Sequence, residues 1–285
     1  MQHQAKKSLG QNFLKSKEAI RTICDAGRVN ENDIVIEIGP GKGALTEELL
    51  KRGSSVIAIE KDGELIEILN ERFKKEITES KLEIIDGDCL DFEFSLPLVN
   101  RESGRGELKR KEENLQKYKI IANIPYNITG AIIKKFLSET ENKPELMALL
   151  VQKEVAERIV ARDNKESILS LSVKAYGVPK YIMKVGKKYF SPSPKVDSAI
   201  ILIDNVSNKN FKNKNEEELF FKIIKAGFAH KRKVLIKNIE VGLPHIDKKN
   251  IEDLFQKLKI NPKARAEDLS FSKWTEILHI LSTDK

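Results

Sequence analysis

Ile34-Val-Ile-Glu-Ile-Gly-Pro-Gly-Lys-Gly-Ala-Leu-Thr46 opens as an almost unbroken apolar run, turns through three glycines and continues into helix-forming residues. A near-continuous apolar run is the pattern of a strand buried on both faces of a parallel sheet. Glycine lets the backbone turn tightly and lets a ligand come close to it. The stretch therefore predicts a strand at Ile34–Ile38, a turn through Gly39, Gly41 and Gly43, and a helix over Ala44–Lys51. Glu37 interrupts the run. A carboxylate inside such a strand is costly unless paired, so Glu37 is expected to look out near the carboxyl end. Several cofactor classes use a strand–glycine–helix junction, and the later strand ends must decide between them.

On either side the same rhythm continues. Ser16 caps a predicted helix over Lys17–Ala26, with Ala19, Ile20, Ile23 and Cys24 on one face. Further strands are predicted at Ser55–Ile59, Leu82–Ile85, Lys119–Ala122, Leu146–Val151, Tyr181–Val185 and Ser198–Ile203. Helices are predicted at Gly63–Lys75, from Thr129 onward, and at Lys153–Ala161 and Leu169–Ala175. Alternating strands and helices imply an α/β fold with a doubly wound, mostly parallel, seven-stranded Rossmann-like sheet over residues 1–203. Residues 95–118 break the pattern with a polar, charged run and read as an exposed insertion. Residues 204–215 are rich in Asn and Lys and read as a linker. Beyond them the pattern is helical only, at Glu217–His230, Val234–Ile239, Ile251–Leu258 and Ser272–Leu281. This predicts a small C-terminal all-helical domain at 216–285.

Composition narrows the class. The chain has 285 residues, 40% of them hydrophobic, enough to build a core rather than a disordered polymer. Its apolar runs fall far short of the roughly 18 residues that span a bilayer, so no membrane association is expected. No signal-peptide core stands at the N-terminus, and two cysteines are too few for a disulfide framework. The expectation is a cytoplasmic protein. Net charge is +8 and unevenly spread. Residues 1–17 carry four lysines and no acid, and residues 204–285 carry 17 Lys and Arg against 12 Asp and Glu. Such a balance points to a polyanionic partner.

Ligands of doubly wound sheets sit at the carboxyl ends of the strands. Here those ends read Glu37–Gly43, Glu60, Asp86–Asp88 and Asn123-Ile-Pro-Tyr126. Glu60 lies at the distance from Gly39 at which an acid commonly accepts hydrogen bonds from a ribose diol. Asp88 suits an adenine amino group. A nicotinamide dehydrogenase would account for the glycine turn and Glu60, but not for the third acid or for Asn-Ile-Pro-Tyr. A ligand with ribose, adenine and an amino-acid tail fits better, which is S-adenosylmethionine, leaving S-adenosylhomocysteine as product. Glu37, Gly39 and Gly41 would then lie beside the tail and the sugar, and the sheet becomes a methyltransferase sheet.

Asn123-Ile-Pro-Tyr126 supplies the chemistry. The lone pair of an adenine N6 amine is delocalised into the ring. The Asn123 side-chain oxygen and a neighbouring backbone carbonyl can hold its hydrogens and turn the lone pair toward the methyl group. Pro125 fixes the backbone that presents that carbonyl. Tyr126 offers a stacking face, a contact worth roughly 1–3 kcal/mol per base. The transfer is an in-line displacement in which positioning does most of the work. It calls for no metal, and the four scattered histidines form no ligand pattern.

These residues resemble the rRNA adenine N6-dimethyltransferases. The likeness is carried by Gly10-Gln-Asn-Phe-Leu14, Glu37-Ile-Gly-Pro-Gly41 with Ala44-Leu-Thr46, Glu60, Gly87-Asp88 and Asn123-Ile-Pro-Tyr-Asn-Ile128. Gln152-Lys-Glu-Val155, Phe190-Ser-Pro-Ser-Pro-Lys-Val-Asp-Ser198 and Arg265-Ala-Glu267 extend it. The resemblance implies that Asn12, Leu14, Gly39, Glu60, Asp88 and Asn123 line the S-adenosylmethionine pocket. It also implies that Phe190 is a second stacking face beside Tyr126. Two branches matter. One dimethylates two adjacent adenines near the 3′ end of 16S rRNA in the immature small ribosomal subunit; the other dimethylates one adenine of 23S rRNA and confers macrolide resistance. The Phe190–Ser198 segment and Phe228-Ala-His-Lys-Arg-Lys233 followed by Asn238 look like the first. The branch usually shows paired arginines and Asn-Ser-Leu where this chain has Lys231-Arg232-Lys233 and Lys237-Asn-Ile239. Lys6, Lys7, Lys231, Arg232 and Lys233 are the candidate RNA contacts, and the protein is expected to act as a monomer without a stable protein partner. A methyltransferase-fold assembly factor acting mainly by binding is the alternative of a different class.

Overall fold

The computed structural model describes residues 4–6, 9–91, 117–244 and 246–283. Lys7 and residues 95–116 of the predicted insertion lie outside them. In chain order the elements begin with β1 (Phe13–Leu14), α1 (Lys17–Ala26), β2 (Ile34–Ile38), α2 (Ala44–Lys51), β3 (Ser55–Glu60), α3 (Gly63–Arg72), α4 (Lys74–Thr78) and β4 (Leu82–Asp86). Next come β5 (Lys119–Asn123), α5 (Thr129–Lys134), β6 (Leu146–Gln152), α6 (Lys153–Val160), α7 (Ile168–Lys174), β7 (Val178–Val185), β8 (Phe190–Ser191) and β9 (Ser198–Asp204). The helices α8 (Lys214–Gly227), α9 (Leu235–Gly242), α10 (Lys248–Lys257) and α11 (Phe271–Thr283) complete the described chain.

Seven strands form one sheet in the order β4-β3-β2-β5-β6-β9-β7, and β1 pairs with β8 in a separate two-stranded ribbon. β4, β3, β2, β5 and β6 run parallel, and β9 lies antiparallel to β6. The apolar runs of the central strands are buried, as the sequence pattern requires: Val35, Ile36, Ile120 and Ile121 are wholly inaccessible. After β4 the chain returns to the other side of β2, so the order in which strands are added reverses between β2 and β5. That switch point is where open α/β sheets hold ligands. Register then aligns the strand ends. Ile38 stands opposite Ile59, and Glu60 stands opposite Asp86.

The chain divides into two compact units, residues 1–152 with 182–206, and residues 153–181 with 207–285. In the first, Ser16 caps α1 as predicted by accepting from Ala19 N–H, and Ala19, Ile20, Ile23 and Cys24 are buried. In the second, Tyr176, Phe211, Phe220, Phe221 and Phe271 form a run of ring contacts with centroids 5.5–6.1 Å apart.

Four elements differ from the sequence pattern. The helix predicted over Gly63–Lys75 breaks at Phe73 (φ −110°, ψ 25°). Its ring packs under the glycine turn, where a Cβ on Gly43 would stand 2.5 Å from Phe73 Cε2. After Lys134, α5 widens into a π turn over Lys135–Glu139. β7 starts at Val178, three residues before the apolar run. Finally, α8 starts at Lys214, capped by Asn213, and stops at Gly227 rather than at His230. There Asn238 Nδ2 donates to the carbonyls of Gly227 (2.6 Å) and His230 (3.1 Å), which holds the backbone where it leaves the helix.

Candidate active site

A cavity of ≈ 660 Å³ opens at the carboxyl ends of β2, β3, β4 and β5. Its walls come wholly from the first compact unit. It brings together Asn12, Leu14, Glu37, Gly39, Gly41 and Glu60. Asp88, Asn123, Pro125 and Tyr126 line it as well. Phe190 is not among the lining residues. It is 3% exposed, packs in the core with Leu14, and pairs with Leu14 across β1 and β8.

The floor is the glycine turn. Gly39, Gly41 and Gly43 all have left-handed backbone, at φ +65°, +59° and +79°. Glu60 holds the turn to β3. One carboxylate oxygen accepts from Gly41 N–H at 3.1 Å, and the other accepts from the N–H groups of Lys61 and Asp62 at 3.0 Å each. Burial pushes the Glu60 carboxyl up, and these three backbone donors pull against it.

Glu37 differs from its expectation. It does not look out; it is 1% exposed, at the base of the cavity. One of its oxygens, Oε2, is buried without a hydrogen-bond partner. Burial pushes its carboxyl up to about 8, and the Glu60 charge adds to it. From Val35 to Ile38 the strand is buried on both faces, so Glu37 has no solvent side to turn to.

Asp88 behaves oppositely. Leu90 N–H (2.9 Å) and the Lys61 ammonium (2.9 Å) hold its carboxyl below the usual range. Cys89, next to it, is buried, and burial pushes its thiol up to about 12, so it carries no thiolate.

At the end of β5, Asn123 Nδ2 donates to the backbone carbonyl of Asn12 at 3.2 Å. With its nitrogen engaged, the amide presents Oδ1 as an acceptor. Pro125 (φ −59°, ψ 133°) turns the chain, and its carbonyl takes Ile128 N–H and the Thr129 hydroxyl. The Tyr126 hydroxyl bonds to Ser198 Oγ at 2.6 Å, which fixes the ring while leaving it partly exposed.

The remaining predicted residues are elsewhere. Lys6 pairs with Asp62 (2.6 Å) and Glu64 (2.9 Å). Lys231, Arg232 and Lys233 are exposed in the turn between α8 and α9. Asp62 and Ser198 do not line the cavity but hold residues that do, Gln11 and Tyr126. Gln11 and Ser198 fall inside the motifs that carry the family likeness, without a role of their own there, and Asp62 falls outside them. The only local signal is Asp62 standing at cap position before α3. Among the described residues no group of three His, Cys, Asp or Glu side chains is placed to hold a metal ion, and no helix is long and apolar enough to cross a membrane.

A mostly parallel seven-stranded sheet of this order, with a glycine turn and acids at successive strand ends, defines a Rossmann-like methyltransferase. Comparison with known proteins gives the particular family. Residues 2–283 match the family described as ribosomal RNA adenine dimethylase. A ribosomal RNA small subunit methyltransferase A of Dehalococcoides mccartyi is 39% identical over 270 residues, 95% of this chain and 86% of that protein. Its namesake in Fusobacterium nucleatum subsp. nucleatum is 36% identical over 282 residues, 98% of each chain. Among solved structures, a dimethyladenosine transferase from Plasmodium falciparum aligns with a TM-score of 0.74 at 25% identity, over 95% of this chain and 98% of that one. The 23S rRNA methyltransferase ErmE aligns equally well (TM-score 0.74) at 21% identity, over 95% of this chain and 100% of that one, a likeness of fold. The chain belongs to the ribosomal RNA adenine dimethylase family and is an enzyme.

Proposed function

We propose that the protein transfers methyl groups from S-adenosylmethionine to the N6 amines of two adjacent adenines near the 3′ end of 16S rRNA in the maturing small ribosomal subunit. The observation that carries this reading is the Asn123 amide, pinned through Nδ2 to Asn12 and presenting Oδ1 beside three strand-end acids. The relatives named small subunit methyltransferase A favour 16S over 23S rRNA as substrate.

The residues present fit the methyl donor. The orphaned Glu37 Oε2 suits the ammonium of its amino-acid tail. Glu60, already oriented by three backbone N–H groups, keeps one acceptor site on Oε2 for a ribose hydroxyl. Asp88, held ionised by Leu90 and Lys61, suits an adenine amino group. When bound, S-adenosylmethionine supplies a sulfonium methyl group open to in-line displacement.

The rest of the work belongs to the chain. Asn123 Oδ1 accepts one hydrogen of the target amine. The Pro125 carbonyl is occupied, so the Ile124 carbonyl, held by the fixed φ of Pro125, is the second acceptor. Together they align the nitrogen lone pair, and the proton leaves to water after transfer. Tyr126, clamped by Ser198, stacks on the base. Phe190 supports the site by holding Leu14 in place. Residues 1–203 bind the donor, 204–215 connect, and 216–285 contact rRNA, with Lys231, Arg232 and Lys233 exposed for phosphates. Lys6 serves first as an internal tie, with Lys7 beside it in sequence. The enzyme acts in the cytoplasm as a monomer.

Primer extension on 16S rRNA tests the reading. The stop at the two adjacent adenines should disappear in cells lacking the gene and return with the gene supplied. An unchanged stop contradicts it, and loss of a 23S stop instead assigns the other branch.

A further inference from the structure

Asp62 is more heavily engaged than its position requires. It is 2% exposed and caps α3 by accepting from Glu64 N–H at 3.2 Å. A cap needs one acceptor, and Ser, Thr or Asn would serve. Asp62 also takes two donors from the far end of the chain. Lys6 Nζ reaches Oδ1 at 2.6 Å, and Gln11 Nε2 reaches Oδ2 at 2.7 Å. The amide of Gln11 is held at both ends, because its Oε1 accepts Lys6 N–H at 2.7 Å. Asp62's own N–H donates to Glu60 Oε1.

From this anchor the chain crosses the glycine turn. The Phe13 ring lies on Gly41, where a Cβ would stand 2.9 Å from Phe13 Cδ1. On the far side, Asn12 O receives Asn123 Nδ2, and Leu14 pairs with Phe190. In the sheet, β3 and β5 flank β2. Lys6 and residues 9–14 therefore tie the end of β3 to the end of β5, and Asp62 is the tie on the β3 side.

We propose that Asp62 is a positioning residue for methyl transfer: by pinning Lys6 and Gln11 it holds the Asn12 carbonyl against the Asn123 amide and keeps Oδ1 turned to the acceptor. The proposal rests on the methyl-transfer reading of the site. Its mechanical part, that Asp62 holds residues 9–14, stands apart from that reading.

Asp62→Asn tests it, because Asn caps a helix as well as Asp and α3 keeps its start. The change removes the charge facing Lys6 and, with Oδ1 kept for the cap, sets an amide N–H against the Gln11 Nε2 donor. Hydrogen–deuterium exchange in residues 9–14 should quicken by about tenfold, the equivalent of about 1.4 kcal/mol. Single-turnover transfer to immature small subunits should slow by roughly 10- to 100-fold, with affinity for those subunits unchanged. Gln11→Leu, which leaves the α3 cap intact, should reproduce both effects. On an Asn123→Ala background, Asp62→Asn should add little further loss of rate, which a merely structural role would not produce. Wild-type exchange and rate in both variants would overturn the proposal, as would a full additional loss on the Asn123→Ala background. If the wild-type protein transfers no methyl group, the functional reading fails, while the exchange result still judges whether Asp62 holds the segment.

Discussion

Asn123 and Asn12, 111 residues apart in sequence, meet through one hydrogen bond, Asn123 Nδ2 to the Asn12 backbone carbonyl at 3.2 Å. The bond engages the nitrogen end of the Asn123 amide and leaves Oδ1 as the free acceptor end. Asn123→Ala removes the acceptor and should slow methyl transfer by roughly 10²-fold, with rRNA affinity intact. Asn123→Asp keeps an oxygen but sets it against the Asn12 carbonyl, and it should not restore the rate. Single-turnover assays on immature small subunits read both.

Glu37 makes a pH prediction. Its carboxyl lies at about 8 in the folded chain against an ordinary 4.5. Between those values the folded chain keeps a proton that the unfolded chain releases, so stability from this group is greatest below about 4.5 and falls as pH rises to about 8. Glu37→Gln should remove this part of the decline in ligand-free protein, followed by denaturant unfolding across pH. Pairing with the ammonium of the donor would expel the proton. Affinity for S-adenosylhomocysteine should therefore rise with pH below about 8, and calorimetry in buffers of different ionisation enthalpy should show proton release.

Glu60 is fixed by three backbone donors. In Glu60→Gln the amide nitrogen must face at least one of them, leaving a buried donor unsatisfied at a cost of about 1–3 kcal/mol. The variant should melt lower and should bind S-adenosylhomocysteine more weakly, as thermal unfolding and calorimetry would show.

Gly41 is constrained twice. Its φ of +59° costs a residue with a side chain about 1–2 kcal/mol, and its missing Cβ makes room for Phe13. Gly41→Ala should destabilise the protein by at least that amount in denaturant unfolding and displace the Phe13 ring. Gly63, where an added Cβ would meet nothing within 4 Å, is the control.

Lys231, Arg232 and Lys233 form an exposed basic turn whose backbone is set by Asn238. Replacing all three with Ala should lower the slope of log affinity for rRNA against log salt by about 2–3, with binding of S-adenosylhomocysteine unchanged. A slope equal to that of the wild type would remove this turn from the RNA surface.

Much of the fold was legible because parallel, doubly buried strands write themselves as apolar runs, and β2, β5 and β6 do so cleanly. Helix breaks were less legible. Leu65, Leu69 and Phe73 continue a helical spacing, and nothing in that spacing marks Phe73, whose ring packs against Gly43, as the place where the helix breaks. In the site, the acids at strand ends were readable because sheet topology alone gathers them. Contacts between distant segments were not. Nothing local in Lys6, Gln11 or Asn12 says that they meet Asp62 and Asn123. The burial of Glu37 ran against its polarity, and an orphaned carboxylate oxygen has no sequence signature.

The most direct test of the central claim is methyl transfer from labelled S-adenosylmethionine to immature small subunits, naked 16S rRNA and large subunits in parallel, with the modified nucleosides identified by mass spectrometry. The account predicts N6,N6-dimethyladenosine at two adjacent positions of 16S rRNA in immature small subunits, lost with Asn123→Ala. Label confined to large subunits, or none above the Asn123→Ala background, would contradict it.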